Sequence, residues 1–229
     1  MQSNFLDGMD ESEKAEFLNS CKTRDVAAGT VILQQGETTE NMLMVASGRV
    51  EISYLNEAGN NTIIYHAFEG NVLATVEVLS ERPCAGTCTA LIDTSVLVCT
   101  KNMLFEKMRS RSFVKSFAAD LHDVLTHDNR YKSIDQFYSA EQKICVYLMK
   151  LSAGDATVYM NSQSYLADVV GCSRQTVNKE LGRLRDMGVI EFGRSKITII
   201  DYDALSKRLA ELGSPEAVPR RVIGGALGH

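Results

Sequence analysis

The sequence contains no long apolar run, and this absence excludes the class of membrane-spanning proteins. No stretch of its 229 residues approaches the roughly 20 consecutive apolar residues that a transmembrane helix needs. The first residues, MQSNFLDGMDESEK, are acidic and lack the basic segment followed by an apolar segment that marks an export signal. We therefore expect a cytoplasmic protein that does not bind a membrane.

Motifs for catalysis and metal binding are also missing. The chain has no nucleophile elbow, no phosphate-binding loop and no paired-carboxylate arrangement, so we do not expect an enzyme. Its six cysteines form neither a C-x-x-C pair nor a zinc-binding spacing, and we predict six reduced thiols and no metal site. Cys84 and Cys88 would form a redox pair only in a curled loop, because four extended residues span about 13 Å.

Positive charge is scarce overall and unevenly distributed. The net charge is −5, with 45% hydrophobic and 23% charged residues, as in a globular chain of one large or two small domains. Residues 1–138 carry 12 basic and 19 acidic side chains, whereas residues 139–229 carry 12 basic and 10 acidic ones. Between residues 171 and 196, the sequence has six basic and three acidic side chains. This distribution is typical of a regulator that binds DNA through one domain only.

Residues 162–187 have the pattern of two helices joined by a tight turn. Apolar residues recur at helical spacing in both halves and are interrupted by a short polar break: Leu166, Val169, Val170, then Val177, Leu181 and Leu184. Ser173 is a suitable N-cap for the second helix, and Ala167 is small enough, four residues before Gly171, to let the helices cross closely. This order is similar to the helix-turn-helix of bacterial DNA-binding proteins.

The second of these helices carries polar side chains suited to reading DNA. Since its apolar side faces inward, Arg174, Gln175, Asn178 and Lys179 are predicted on its outer face, where they would contact base edges. Four further side chains are the predicted phosphate contacts, which position a helix without specifying sequence: Ser173, Arg183, Arg194 and Lys196. The alternative is an ordinary two-helix corner with a solvated basic face.

The residues after this helix favour the DNA-binding interpretation. Met187-Gly188 ends the helix, and two short strand patterns surround the turn Gly193-Arg194-Ser195, which predicts a wing with Arg194 and Lys196 at its tip. The run GCSRQTVNKELGRLRDMGVIEF resembles the CRP/FNR family of bacterial transcription regulators. The resemblance implies that residues 139–210 form a winged helix-turn-helix domain that begins with an amphipathic helix.

The N-terminal part has the pattern of a small antiparallel roll. Residues 10–20 predict a short helix, and six strand patterns follow, broken by Gly and Asn: 30–34, 42–46, 49–54, 62–67, 88–92 and 95–100. Residues 29–37 and 42–50 look like the opening of the cyclic-nucleotide-binding β-roll of the same family. We therefore predict an α+β protein with an N-terminal, jelly-roll-like effector domain at residues 1–110.

A long helix is predicted between the two domains, at residues 112 to about 136, after a short one at 101–109. An apolar stripe runs along it, and its central members are Phe117, Leu121, Val124 and Leu125. The resemblance implies that residues 111–138 form the dimerisation helix and hinge, and that an effector shifts the hinge near residues 135–139. A two-fold dimer would place two recognition helices about 34 Å apart on a palindromic DNA site, with RNA polymerase as a further expected partner. The alternative is a helix packed only against its own roll. Residues 211–229 are predicted to form a C-terminal tail.

The effector is not specified by the sequence, and its identity stays unknown. In family members that bind cyclic AMP, a glutamate and an Arg-Ser pair hold the ribose and the cyclic phosphate. The corresponding residues here are Glu77, Val78, Leu79, Arg82, Cys84 and Ala85. Cys84-Ala85 stands in place of the Arg-Ser pair, and an anionic phosphate in a partly buried pocket needs a cation or several aligned donors. Arg82 would substitute only if the loop were shifted. We therefore favour another small molecule, a redox signal or no effector over cyclic AMP.

Several alternatives remain open. A cyclic-nucleotide-responsive regulator with a non-standard phosphate site is one, and a nucleotide-binding module with a degenerate helix-turn-helix is another. An iron–sulfur sensor is disfavoured because only Cys21 precedes Cys84. A metal ion shared by His122 and His127 is disfavoured because the two side chains lie about 140° apart on a helix. Haem held by His66 or a methionine has no motif behind it. The sequence does not indicate whether transcription is raised or lowered.

Overall fold

The structure is a computed structural model that describes residues 5–59, 61–152, 156–160 and 164–212, with only the backbone of residues 127 and 128. The chain divides into two compact units, one ending at residue 127 and one starting at residue 128. The division falls within a single long helix. Nearly all of the predicted tail lies outside the described residues.

The first unit contains two antiparallel sheets and several short helices. In chain order its elements are α1 (Glu11–Ser20), β1 (Lys22–Val26), β2 (Val31–Leu33), β3 (Asn41–Ser47), β4 (Val50–Leu55), β5 (Asn61–Ala67), β6 (Val72–Leu73), α2 (Thr75–Ser80), β7 (Thr87–Ala90), β8 (Thr94–Thr100), α3 (Lys101–Lys107) and the first part of α4 (Arg111–Phe137). The strand order is β1-β8-β3-β6 in one sheet and β2-β7-β4-β5 in the other. The predicted antiparallel roll is confirmed.

Alternation along β3 separates the two hydrophobic cores of this unit. Leu43 and Val45 pack with Val50 and Ile52 of β4, in a core between the two sheets. Met42 and Met44 point the other way and pack with Phe5, Phe17 and Leu104, in a second core that joins the first sheet to α1, α3 and the start of α4. Since successive side chains of a strand point to opposite faces, one strand serves both cores.

Helix α4 contains 27 residues and no glycine or proline to interrupt it. Its first turns bury Phe113, which makes an edge-to-face contact with Phe5 at 5.2 Å between ring centroids. Its last turns belong to the second unit and bury Ile134. The predicted long helix is confirmed, and its two ends are anchored in two different cores.

The second unit surrounds helix α5. Its elements are α5 (Ala140–Leu151), β9 (Thr157–Tyr159), α6 (Tyr165–Val170), α7 (Arg174–Asp186), β10 (Ile190–Gly193), β11 (Lys196–Ile199) and α8 (Tyr202–Glu211), with sheet order β10-β11-β9. Ser139 caps α5 in a capping box with Gln142. Ile144, Tyr147 and Leu148 lie at helical spacing and are buried, as the predicted amphipathic pattern requires. Val146 and Met149 are buried too, so the buried part of α5 is wider than one face, because α6, α7 and α8 each pack against it.

The predicted hinge near residues 135–139 is tied to this second unit. The Tyr147 hydroxyl of α5 donates to the two carboxylate oxygens of Asp135 at 3.0 and 3.1 Å. The rings of Tyr131 and Tyr147 lie 5.6 Å apart, and the Lys150 ammonium lies 3.6 Å from the centre of the Tyr131 ring. These contacts join the last turns of α4 to α5, so a hinge movement at 135–139 would have to break them.

Candidate nucleic-acid interface and effector site

Helices α6 and α7 form the predicted helix-turn-helix, and the turn depends on two residues. Gly171 ends α6 in the left-handed conformation, with φ of 66°, and the Cys172 amide donates to Ala167 O at 3.1 Å. Ser173 caps α7, because its hydroxyl accepts from the Thr176 amide at 3.1 Å. A Cβ on Gly171 would meet no atom within 4 Å, so the turn requires glycine for its backbone conformation and not for space.

Gly171 and Gly182 both have room for a Cβ, and substitution by alanine should change stability in opposite directions at the two positions. Gly171→Ala should lower the free energy of unfolding by about 1–2 kcal/mol, because an L side chain is strained in the left-handed region. Gly182→Ala should raise it by up to about 1 kcal/mol, since Gly182 lies inside α7, where alanine is the better helix former. Urea denaturation measures both changes. Stabilisation by both variants would contradict the role given to the Gly171 backbone.

The two faces of α7 differ in polarity as predicted. Val177, Leu181 and Leu184 are buried in the second unit. The four predicted base-contacting side chains are all exposed on the first turns of α7: Arg174, Gln175, Asn178 and Lys179. The burial of the apolar residues fixes the rotation of the helix, and that rotation turns the polar side chains outward. Ser173 is exposed too, although its hydroxyl already caps the helix.

The wing is a hairpin of β10 and β11, and its third strand is β9. Gly193 pairs with Lys196 across the two-residue turn Arg194-Ser195, and Ser195 adopts the left-handed conformation with φ of 56°. Arg194 and Lys196 are exposed at the tip. The tip therefore presents two positive charges on a short, sheet-supported loop.

Arg183 lies in an ion-pair network that sequence reasoning missed. Its guanidinium donates to Glu141 Oε1 at 2.8 Å and to Glu180 Oε2 at 3.3 Å. Glu180 is 1% exposed and also accepts from Arg208 Nε of α8 at 3.1 Å. The network joins α5, α7 and α8. The Arg183 side chain is still 44% exposed, so it stays a predicted phosphate contact that is also paired with two carboxylates.

The predicted effector residues do not all lie together. Glu77, on α2, accepts a hydrogen bond from the Ala85 amide at 3.4 Å, and Cys84 is buried next to that amide. Val78 is buried in the core below α2, and Leu79 packs against that same core. Arg82 is exposed, and none of the ion pairs among the described residues includes it. The structure thus brings together Glu77, Cys84 and Ala85, and the Arg82 amide donates to Glu77 O at 3.1 Å, so the Arg82 backbone lies next to Glu77 as well. The side chains of Val78 and Leu79 pack into the core instead.

The surroundings of Glu77 are acidic. Burial, together with smaller effects of Cys84 and Glu77, raises the pKa of the Cys88 thiol to about 12. Burial also raises the pKa of Tyr65, with smaller effects from Cys88, Asp120 and Glu77. The pKa of Asp120, on α4, rises to about 6 because of burial and of the neighbouring Asp123. The carboxylates that act on these side chains are Glu77, Asp120 and Asp123, and each of them, when ionised, would repel an entering phosphate.

Tyr65 and Asp120 were missed from the sequence. Tyr65 lies on β5 and packs against the core between the two sheets. Asp120 is a half-buried carboxyl inside the apolar stripe of α4, three residues after Phe117. The signal available in the sequence was an acidic residue at a position that belongs to the apolar stripe of α4. The raised pKa values of Cys84 and Cys88 also mean that little thiolate forms at neutral pH, which disfavours redox chemistry at this pair.

The apolar stripe of α4 is exposed over its middle turns. Leu125 is 63% exposed and Val124 is 47% exposed, whereas Phe117 and Leu121 are half-buried. These four side chains form a continuous strip next to the buried face that carries Phe113.

No helix in the described part of the chain is long and apolar enough to cross a membrane. No group of three or more metal-ligating side chains occurs among those residues either.

A β-roll followed by a winged helix-turn-helix is the architecture of a class of DNA-binding transcription regulators. The family model for the cyclic nucleotide-binding domain matches residues 23–111, and that for the Crp-like helix-turn-helix domain matches residues 142–208. The chain belongs to the CRP/FNR family of transcription regulators. Its fold is the one seen in transcription regulators of this family.

Individual relatives are distant in sequence and similar in length. The chain is 23% identical over 199 residues to the cyclic AMP receptor protein of Thermus thermophilus, covering 86% of this chain and 92% of the relative. It is 25% identical over 212 residues to the anaerobic regulatory protein of Bacillus subtilis, covering 85% and 87%. The structure of FixK2 from Bradyrhizobium japonicum superimposes with a TM-score of 0.70 at 20% identity, covering 86% and 99%. At this identity, the structural likeness shows the fold alone.

Proposed function

We propose that this CRP/FNR regulator acts in the cytoplasm as a homodimer that reads a palindromic DNA site with α7 and contacts RNA polymerase. The observation that carries the proposal is the two-sided character of α7. Its buried leucines and valine hold the helix, and Arg174, Gln175, Asn178 and Lys179 are exposed on its first turns. Arg, Gln and Asn each offer the paired donors or acceptors that distinguish bases in the major groove.

The exposed strip of α4 supports a dimer. Apolar side chains such as Leu125 and Val124 lose contact with water when an identical strip from a second copy packs against them. A two-fold axis places the same residues of both chains together, so a single strip is sufficient to form the interface. The same symmetry would make the preferred DNA site palindromic.

Arg174 and Lys196 should contribute to DNA binding in different ways. Arg174→Ala should weaken binding to the preferred site by about 1–3 kcal/mol and relax the preference at one base pair, because a bidentate base contact is lost. Lys196→Ala should weaken binding to all sequences alike and reduce the salt dependence by about one unit, because a phosphate contact is lost. The measurement is selection of the preferred site from a random library, followed by titration at several salt concentrations.

A matched control is Lys207→Ala, which removes an exposed positive charge from α8, an element outside the helix-turn-helix and the wing. It should leave both sequence preference and salt dependence within the error of the wild-type protein. Equal, sequence-independent losses from Arg174→Ala and Lys196→Ala would contradict these role assignments. Weak binding that is insensitive to sequence in the wild-type protein would instead support a nucleotide-binding module with a degenerate helix-turn-helix.

The signal at the β-roll is proposed to be something other than plain cyclic AMP. Cys84 and Ala85 offer no positive charge at the position of the Arg-Ser pair, and the Ala85 amide already donates its hydrogen bond to Glu77. With Glu77 and Asp120 both acting on Tyr65, the site favours an uncharged or cationic small molecule over an anionic one. A phosphate there would need a compensating cation.

Calorimetric titration of ligand-free protein with cyclic AMP and cyclic GMP should give no heat of binding at micromolar concentrations. The expected reason is the unfavourable potential around Glu77. Micromolar binding by the wild-type protein would contradict this assignment and support the alternative, a cyclic-nucleotide-responsive regulator whose phosphate is held by Arg82 or by backbone donors.

A further inference from the structure

Cys21 and Cys99 face each other across two neighbouring strands. Strands β1 and β8 pair antiparallel, and the last pair of the ladder at this end is Lys22 with Val98. Cys21 precedes Lys22 and has extended backbone angles, φ −82° and ψ 148°. The next pair along the same register is therefore Cys21 with Cys99. On its other side, Cys99 pairs with Met42 of β3.

Backbone hydrogen bonding identifies the kind of pair. The Cys21 amide donates to Leu18 O at 3.3 Å, at the end of α1, so it does not donate to Cys99. The Lys101 amide donates to Glu40 O at 2.8 Å, so by alternation Cys99 also directs its backbone groups toward β3, where it pairs with Met42. Cys21 and Cys99 thus form a non-hydrogen-bonded pair, the type in which Cα atoms of opposing residues approach to about 4.5 Å. This separation lies within the range of about 4.4–6.8 Å that a disulfide bridges.

The two thiols are in contact and unequal. The interaction between the two thiols lowers the pKa of Cys21 and raises that of Cys99, and the positive charge of Lys107 favours the thiolate of both. The Cys99 thiol itself donates to Thr100 O at 3.8 Å. Cys99 is fully buried, whereas Cys21 is half-buried. Cys21 is therefore the thiol that solvent reaches and that ionises first. Burial raises the pKa of the four remaining cysteine thiols, at positions 84, 88, 145 and 172.

We propose that Cys21 and Cys99 are a dithiol that a hydroperoxide converts to an intrachain disulfide. The Cys21 thiolate attacks one peroxide oxygen, the O–O bond breaks, and the products are a sulfenic acid on Cys21 and an alkoxide or hydroxide that takes up a proton. The Cys99 sulfur then attacks the Cys21 sulfur, the S–O bond breaks, and the departing hydroxide leaves as water with the Cys99 proton. Two thiols lose two electrons and two protons, and the peroxide is reduced to an alcohol and water, or to two waters from hydrogen peroxide.

The inference is independent of the proposed effector at Glu77. The disulfide would join the C-terminal end of α1 to the end of β8, next to Thr100, which caps α3. Both cysteines pack with the core that contains Phe17 and Leu104. Oxidation would therefore link α1 covalently to the sheet on which that core is built.

The experiment treats the full-length reduced protein with hydrogen peroxide and then blocks the remaining thiols with N-ethylmaleimide under denaturing conditions. Digestion with trypsin and Asp-N places each cysteine on its own peptide, residues 15–22 for Cys21 and residues 93–101 for Cys99. Mass spectrometry should detect these two peptides linked, in the monomer band of a non-reducing gel. Thiol loss at Cys21 should be at least tenfold faster than at Cys145, and the other four cysteines should carry the maleimide label.

Two variants test the order of the steps. In Cys99→Ala, oxidation should stop at a Cys21 sulfenic acid that dimedone traps, and in Cys21→Ser, oxidation of Cys99 should slow at least tenfold. The proposal is overturned if the wild-type protein accumulates dimedone-labelled Cys21 without the linked peptide, if Cys84 links to Cys88 first, or if Cys21 links two chains. The wild-type measurement decides these outcomes even where a variant fails to fold.

Discussion

Replacing Glu180 by alanine should lower the free energy of unfolding by about 3–5 kcal/mol, the cost of removing one partner from a buried ion pair. Glu180 is 1% exposed, and its two oxygens accept from Arg208 Nε at 3.1 Å and Arg183 Nη1 at 3.3 Å. Without Glu180, Arg208 keeps only Glu141, at 3.6 Å, although its own side chain is largely buried. Denaturant unfolding followed by circular dichroism measures the change.

The controls for this prediction are two other glutamates. Glu191→Ala removes an exposed carboxylate from β10 and should change stability by no more than about 0.5 kcal/mol. Glu141→Ala should lie between the two, since Glu141 is half-exposed and Arg183 and Arg208 both retain Glu180. A loss below about 1 kcal/mol for Glu180→Ala would contradict a structural role for the network. DNA binding of the variant, measured where it is still folded, separates this role from a contact to DNA.

The elements predicted from the sequence are those with strong periodicity. Helix α7 has apolar residues at helical spacing and a serine cap, and the six predicted strands have short apolar patterns bounded by Gly or Asn. Strand β1 was missed because four of its five residues are exposed and only Val26 is buried, so it has no alternation. Helix α2 was missed because six residues, bounded by left-handed Ala74 and Glu81, contain too few turns to show a period.

The DNA-reading surface was more predictable than the effector site for a physical reason. The positions of Arg174, Gln175, Asn178 and Lys179 follow from one helix and its buried side. The surroundings of Glu77 depend on β5, β7 and α4, which are distant in sequence, so neither Tyr65 nor Asp120 was recognised. The ion pair of Arg183 was missed for the same reason, because its partner Glu141 lies 42 positions earlier in the chain.

Replacing Leu125 by arginine should weaken the proposed dimer by at least about 100-fold, equivalent to about 2.7 kcal/mol. Leu125 is 63% exposed in the middle of the apolar strip of α4. Because a two-fold interface repeats each residue, a single substitution would bring two arginines into the same contact, and like charges placed together there cost several kcal/mol. Sedimentation equilibrium across a range of protein concentrations gives the dissociation constant.

Ala119→Arg is the matched control for charge and helix position. Ala119 is exposed on α4, and by the rotation of about 100° per residue it lies on the side of the helix away from Leu125 and Leu121. It should leave the dissociation constant unchanged. Affinity for a palindromic site should then fall with Leu125→Arg and persist with Ala119→Arg, while binding to an isolated half-site stays equal in both, because α7 is intact. Equal dimer constants for the two variants would mean that the α4 strip packs only against its own chain.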